Sequence, residues 1–308
     1  MKLKLIDSRT IPSSDESFWT KVRNGELVKV HGTFYANAYR WKRLRLWERE
    51  MMHATAVGLG ARTAVLVGRS AAAIWQLPII HRNEPFVAEL MYPKHRRPGG
   101  KQKQQRDLYF RIGYLAEGEI VEKAGVRVTS LQRTAIDVAR FENFPHALMI
   151  VEGCLREYPK TFAKAKDAIR SGPPAKGMTQ ARKVFKTASA KSESPAESLT
   201  LGHLHVSGIC SEHDTLQNHS INVEGRTYRP DFLIDGWLII EVDGEVKYND
   251  QLQPFDEVIK AERARESRLQ NAGYRVLRFR WPDLIDGAFI AEVRRALSQG
   301  NRGVVPEK

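Results

Sequence analysis

The chain has 308 residues, 42% apolar and 28% charged, a composition that suits two or three cored globular domains and excludes a disordered or fibrous chain. Its net charge of +13 points to a polyanionic partner, nucleic acid before an acidic membrane surface, with a basic cytosolic protein lacking such a partner as the plain alternative. Two cysteines exclude a disulfide framework and fit a reducing cytoplasm, and no apolar run is long enough for a membrane span or a signal peptide.

In chain order, SSDESFWTKVRNG predicts a short helix capped by Ser13 or Ser14 and ending near Asn24–Gly25. ELVKV and TFYA follow as a hairpin turned by His31-Gly32. YRWKRLRLWEREMMHATAVGL has helical spacing, with Leu44, Trp47, Met51 and Met52 on one side. TAVLVG is a strand, RSAAAIWQL a helix stopped by Pro78, and PFVAELMYP a strand. KHRRPGGKQKQQRD is a basic loop before the strand LYFRIGYL, and Arg96 and Arg97 within it are candidate phosphate contacts. VRVTSLQRTAIDVARF predicts a strand and a helix capped by Thr129 or Ser130, and 144–170 is helical with a break near Pro159.

Composition then shifts to Ser, Pro, Gly, Ala and Lys, which predicts a linker over 171–191. The expected domains are 1–80, 81–170 with its helical extension, and 192–300, followed by a tail over 301–308. The last domain predicts helix 195–207, strands 211–217, 220–225, 227–234 and 238–243, helix 256–271, strand 274–280 and helix 286–298. The expected class is α/β: an α+β N-terminal region and a C-terminal mixed sheet flanked by helices.

RPDFLIDGWLIIEVDGEVK carries the chemistry. Asp231, Glu241 and Asp243 interrupt an apolar hairpin, where carboxylates need partners. Pairing Phe232 with Ile240, Leu233 with Ile239 and Ile234 with Leu238 matches apolar with apolar and sets Asp231 across from Glu241. It requires an odd loop, Asp235-Gly236-Trp237. Glu241 and Asp243, two apart, share a face. Clustered carboxylates suit a hard divalent ion, Mg²⁺ or Mn²⁺, which polarises a phosphoryl oxygen and activates water. The competing account pairs them with Arg226, Arg229 or Arg278, and Arg229–Asp243 is compatible with the same register. His203, His205, Cys210 and His213 are a weak zinc pattern, lacking a C-x-x-C pair.

Asp231 after proline, then Glu241-Val-Asp243-Gly244, a basic helix and GYRVLRFRW over 273–281 resemble the PD-(D/E)XK nuclease superfamily. The closer likeness is to its DUF559 branch, related to very-short-patch-repair endonucleases, and covers about 192–298. The resemblance implies a restriction-endonuclease-like fold, with Asp231 and Glu241 as metal ligands and Glu197, in ESPAES, ligating directly or through water. Asp243 stands at the usual lysine position, and Lys247 is the substitute candidate for stabilising phosphate charge. Lys260, Arg263, Arg265 and Arg268 line the following helix; Lys260, Arg263 and Arg268, with Arg278, are the candidate nucleic-acid contacts there.

GELVKVHGTFYAN, LVGRSAAAIWQLPI and VTSLQRTAIDVAR resemble AbiEi-type antitoxins, which implies DNA binding and transcriptional regulation. Only about 13 residues precede the first helix, so the winged helix is expected to be truncated. The resulting expectation is a cytoplasmic metal-dependent DNA endonuclease or nickase serving in defence against foreign DNA. The alternative is a DNA-binding, antitoxin-like regulator with an inactive nuclease fold. DNA is the expected partner, no membrane is, and a second copy of the chain and a toxin or defence protein are left open.

Overall fold

The computed structural model describes residues 3–81, 85–94, 97–100, 106–243 and 255–300, with backbone alone over 255–262. It has the α/β class expected from the sequence. The chain forms two compact units, 1–142 with 153–186, and 143–152 with 187–308.

The first unit opens with β1 (Ile6–Asp7), α1 (Glu16–Arg23), β2 (Leu27–His31) and β3 (Phe34–Asn37). The strands form an antiparallel sheet in the order β1-β3-β2. Asp15, rather than Ser13 or Ser14, caps α1 by accepting from the Phe18 amide at 3.1 Å. The single long helix expected next is two, α2 (Ala38–Arg43) and α3 (Leu46–Gly60). Leu44 and Arg45 between them are extended, and the Arg45 amide donates to Glu48.

A five-stranded mixed sheet follows, in the order β6 (Leu108–Arg111), β5 (Ala88–Met91), β4 (Val65–Leu66), β8 (Val126–Thr129), β7 (Ile120–Lys123). Helix α4 (Gly68–Ile74) and α3 pack with its core, which is built from Ala54, Val57, Leu66, Ile74, Leu90 and Val128. The sheet corrects the boundary expected at residue 80: β4, before it, is the central strand and pairs with β5 and β8, after it. β7 is not apparent in the sequence, because EIVEK alternates weakly and half its residues are polar.

Helix α5 (Leu131–Phe141) is capped by Ser130, as expected. Helices α6 (Phe144–Glu157) and α7 (Pro159–Ser171) follow, the latter beginning at the proline, which needs no amide partner in a first turn. The expected linker is a correction too. Residues 178–187 form α8 (Met178–Thr187), with Met178, Ala181, Val184 and Phe185 buried in the first unit. Polar and basic residues occupy the rest of its surface, which gives an amphipathic helix the composition of a spacer.

The second unit contains α9 (Pro195–Val206), α10 (Ile209–Glu212), β9 (Thr215–Gln217), β10 (Ile221–Val223), β11 (Arg226–Tyr228), β12 (Phe232–Ile234), β13 (Leu238–Asp243), α11 (Phe255–Asn271), β14 (Arg275–Arg280), α12 (Trp281–Ile285) and α13 (Ile290–Gln299). β10 and β11 pair separately, and the main sheet runs β14-β13-β12-β9. β14 joins β13 in parallel, and the crossover between them contains α11. The expected strand at 211 begins only at Thr215, because Ile209–Glu212 closes a helical turn after left-handed Gly208.

Candidate active site

The hairpin has the register expected from apolar pairing: Phe232 faces Ile240, Leu233 faces Ile239 and Ile234 faces Leu238. All six side chains are buried. The loop is Asp235-Gly236-Trp237, with Asp235 at φ 49° and Gly236 at φ 72°, a backbone that glycine and short acidic side chains adopt most readily. One step beyond the last pair stand Asp231 and Glu241. Asp231 Oδ2 accepts the Val242 amide at 2.8 Å, so the first carboxylate is clamped to the strand that carries the other two.

Glu197 comes from the first turn of α9. Ser194 caps that helix, accepting the Glu197 amide at 3.1 Å, and Pro195 sits in its first turn. The Glu197 side chain is buried. Its Oε2 accepts from the Glu193 amide at 3.0 Å and from Asn218 Nδ2 at 2.9 Å. Asn218 is the residue that sequence reasoning missed. Its backbone amide donates to the Asp231 carbonyl at 3.0 Å while its side chain holds Glu197, so it ties together the two segments bearing these acids. Its φ of 53° is the only hint, since Asn tolerates that conformation better than most residues, but φ is not visible in a sequence.

The Asp231 carboxyl is pushed up to about 6. Burial is the main cause, and the charges of Glu197, Glu241 and Asp243 add to it, against the bond from the Val242 amide. Glu197, Glu241 and Asp243 are therefore gathered closely enough around Asp231 to act on it. Glu241 is half-buried and is neutralised by two arginines: Arg265 Nη2 bonds its Oε1, and Arg278 Nε lies 3.5 Å from its Oε2. Asp243 is exposed at the end of β13.

All-oxygen donors are the right chemistry for Mg²⁺ or Mn²⁺. Their present arrangement is not a closed ligand set. Among the described residues, no trio of these acids brings one oxygen each within 4.8 Å of the others. Glu241 faces arginine, and one oxygen of Glu197 is committed to the cap. Residue type and neighbourhood fit a hard cation; Glu241 has to exchange Arg265 for it.

β14 lines up beside β13 so that Arg278 is level with Glu241 and Arg280 with Asp243. Leu277 and Phe279 are buried, whereas Arg278 and Arg280 are exposed. Arg263 is exposed on α11. Arg268 is half-buried, with a buried Nε that lacks a hydrogen-bond partner among the described residues. Arg97 is exposed and belongs to the first unit. Lys247 and Arg96 lie outside the described residues, as does the side chain of Lys260. Arg265, not chosen from its helix, reaches Glu241 of the cluster.

Two alternatives from the sequence are corrected. Arg229 pairs with Glu193 at 2.5 Å and donates to the Asn218 carbonyl; its ion-pair partner is not Asp243. The histidine and cysteine pattern does not assemble. His213 Nδ1 lies 2.6 Å from Asp235 Oδ2, and the His203 ring packs edge-on to Phe289 at 5.8 Å. No protein-family model matches the chain, and a search of curated proteins finds no match.

Proposed function

We propose that the chain is a metal-dependent DNA endonuclease or nickase of the PD-(D/E)XK type, acting in defence against foreign DNA. The observation that carries this reading is the electrostatic cluster at the end of the hairpin. Glu197, Glu241 and Asp243 all raise Asp231, and Arg278 and Arg280 flank the last two on β14. A group of acids in a chain of net charge +13 is a place for a cation, and the neighbouring arginines are places for phosphate. Asp231 and Glu241 would hold Mg²⁺ or Mn²⁺, with Glu197 assisting. Such an ion, when bound, supplies Lewis-acid polarisation of a phosphoryl oxygen. Arg278 and Arg280 would orient the phosphodiester, and Asp231, poised near neutrality, would exchange its proton as the cation arrives.

The test is nicking of supercoiled plasmid with Mg²⁺ or Mn²⁺. Cleavage by wild type that is lost in both Asp231→Ala and Glu241→Ala supports the reading. Absence of wild-type cleavage, or equal cleavage by these variants, refutes it.

One observation favours a second reading. Arg265 and Arg278 already neutralise Glu241, which is how a relic site would stabilise its remaining acids. In that case the chain is a DNA-binding, antitoxin-like regulator, with the β1-β3-β2 sheet and α1 as a trimmed winged helix. Metal-independent DNA binding without cleavage of any substrate would select it.

A further inference from the structure

Three ligand-type side chains meet far from the carboxylate hairpin in sequence, all within the first unit. His31 ends β2, where the pairing with β3 slips by a bulge between Lys29 and His31. Bulges re-aim side chains, and Gly32, at φ 53°, turns the chain immediately afterwards. His53 projects from the middle of α3 and is 6% exposed. Asp107 stands just before β6, its carbonyl fixed by the Ala88 amide at 2.8 Å.

The three converge on one point. Asp107 Oδ2 lies 2.7 Å from His31 Nδ1 and 3.5 Å from His53 Nε2. The imidazoles stand edge to face, their centroids 5.6 Å apart. One donor atom from each residue falls within 4.8 Å of the other two, and this is the one such trio among the described residues.

We propose that His31, His53 and Asp107 form a binding site for a first-row transition-metal ion of the zinc class. Two imidazoles and one carboxylate are a borderline donor set, which takes Zn²⁺, Co²⁺ or Ni²⁺ in preference to Mg²⁺. Metal bonds of ~2.0–2.1 Å need donor atoms a little over ~3 Å apart. The His53–Asp107 pair, at 3.5 Å, already has that spacing, and the His31–Asp107 pair, now at hydrogen-bond distance, has to spread by giving up the proton between them. Three protein ligands leave a fourth position vacant. His31 also lines a cavity of about 620 Å³, together with Arg62, Thr63, Tyr92 and Phe110.

The experiment titrates Co²⁺ into the tag-free, metal-stripped full chain and follows the visible d–d bands. One equivalent of Co²⁺, displaced by Zn²⁺, is expected. His53→Gln and Asp107→Asn should each weaken it by at least ~100-fold, more than the loss of an outer partner does. Glu241→Gln should leave the bands unchanged, which separates this site from the carboxylate hairpin. A second measurement needs no variant: Zn²⁺ should protect His31 and His53, read as individual peptides, from diethyl pyrocarbonate. Absence of bands, bands that persist in both variants, or acylation of both histidines regardless of Zn²⁺ would each overturn the site.

Discussion

The Val242 amide donates to Asp231 at 2.8 Å, binding a protonatable acid to the strand that holds Glu241 and Asp243. That acid titrates near 6 against an ordinary value of 3.8. The folded state therefore holds its proton more tightly than the unfolded state. The stability this provides is complete below about 4 and is lost as pH rises through about 6, so above it the ionised cluster weighs against folding. Asp231→Asn keeps an acceptor for Val242 and removes the charge. It should raise unfolding stability at pH 7.5 by ~2–3 kcal/mol, since each tenfold difference in proton affinity between the folded and unfolded states corresponds to roughly 1.4 kcal/mol. The gain should fall by roughly half at pH 5. Urea denaturation at both pH values checks this; a variant no more stable than wild type at pH 7.5 contradicts it.

Glu241 is shared between Arg265 and Arg278. If a cation takes that carboxylate, Arg265 competes with it. Arg265→Gln should tighten Mn²⁺ binding several-fold, and Glu241→Gln should abolish it. Calorimetric titration measures both. Mn²⁺ affinity that falls in Arg265→Gln would mean that the arginine supports the site and does not block it.

Arg278 is exposed on β14, level with Glu241. A phosphate contact there weakens binding to all sequences alike when it is removed. Arg278→Ala should lower DNA affinity and reduce the steepness of the log-affinity against log-salt plot by about 1. Fluorescence anisotropy over a salt series tests it. An unchanged slope would assign Arg278 to Glu241 alone.

The hairpin is legible in the sequence because a two-residue period leaves few registers when both faces are buried. Pairing Phe232 with Ile240 also fixes where Asp231 falls. The capping role of Glu197 is less visible. Ser194 three residues earlier is a helix-start pattern, yet the Glu197 side chain reaches Glu193 and Asn218 instead of closing the usual box on Ser194. The His31, His53 and Asp107 trio is not legible at all. Its members lie 22 and 54 residues apart in sequence, and only the packing of β2, α3 and the start of β6 brings them together. Helix α8 is hidden for a simpler reason: its buried face has four residues in a lysine-rich surround.

The first unit also hides an ion pair whose removal should be costly. Arg69 Nε and Nη2 bond Glu50 at 2.7 and 3.1 Å, and both residues are buried. Arg69 additionally donates to the Ile80 carbonyl, and His81 Nδ1 lies 3.2 Å from Glu50. These contacts fasten α4 to α3 and to the segment after Pro78. Taking away one partner leaves the other charge in the core, so Arg69→Met should destabilise by ~3–5 kcal/mol. Replacing both, as Arg69→Met with Glu50→Leu, removes the stranded charge and should recover most of that loss. A double-mutant cycle by chemical denaturation reads the coupling. If the double variant is as unstable as the sum of the single ones, the two residues act independently and the pair is not what holds α4 in place.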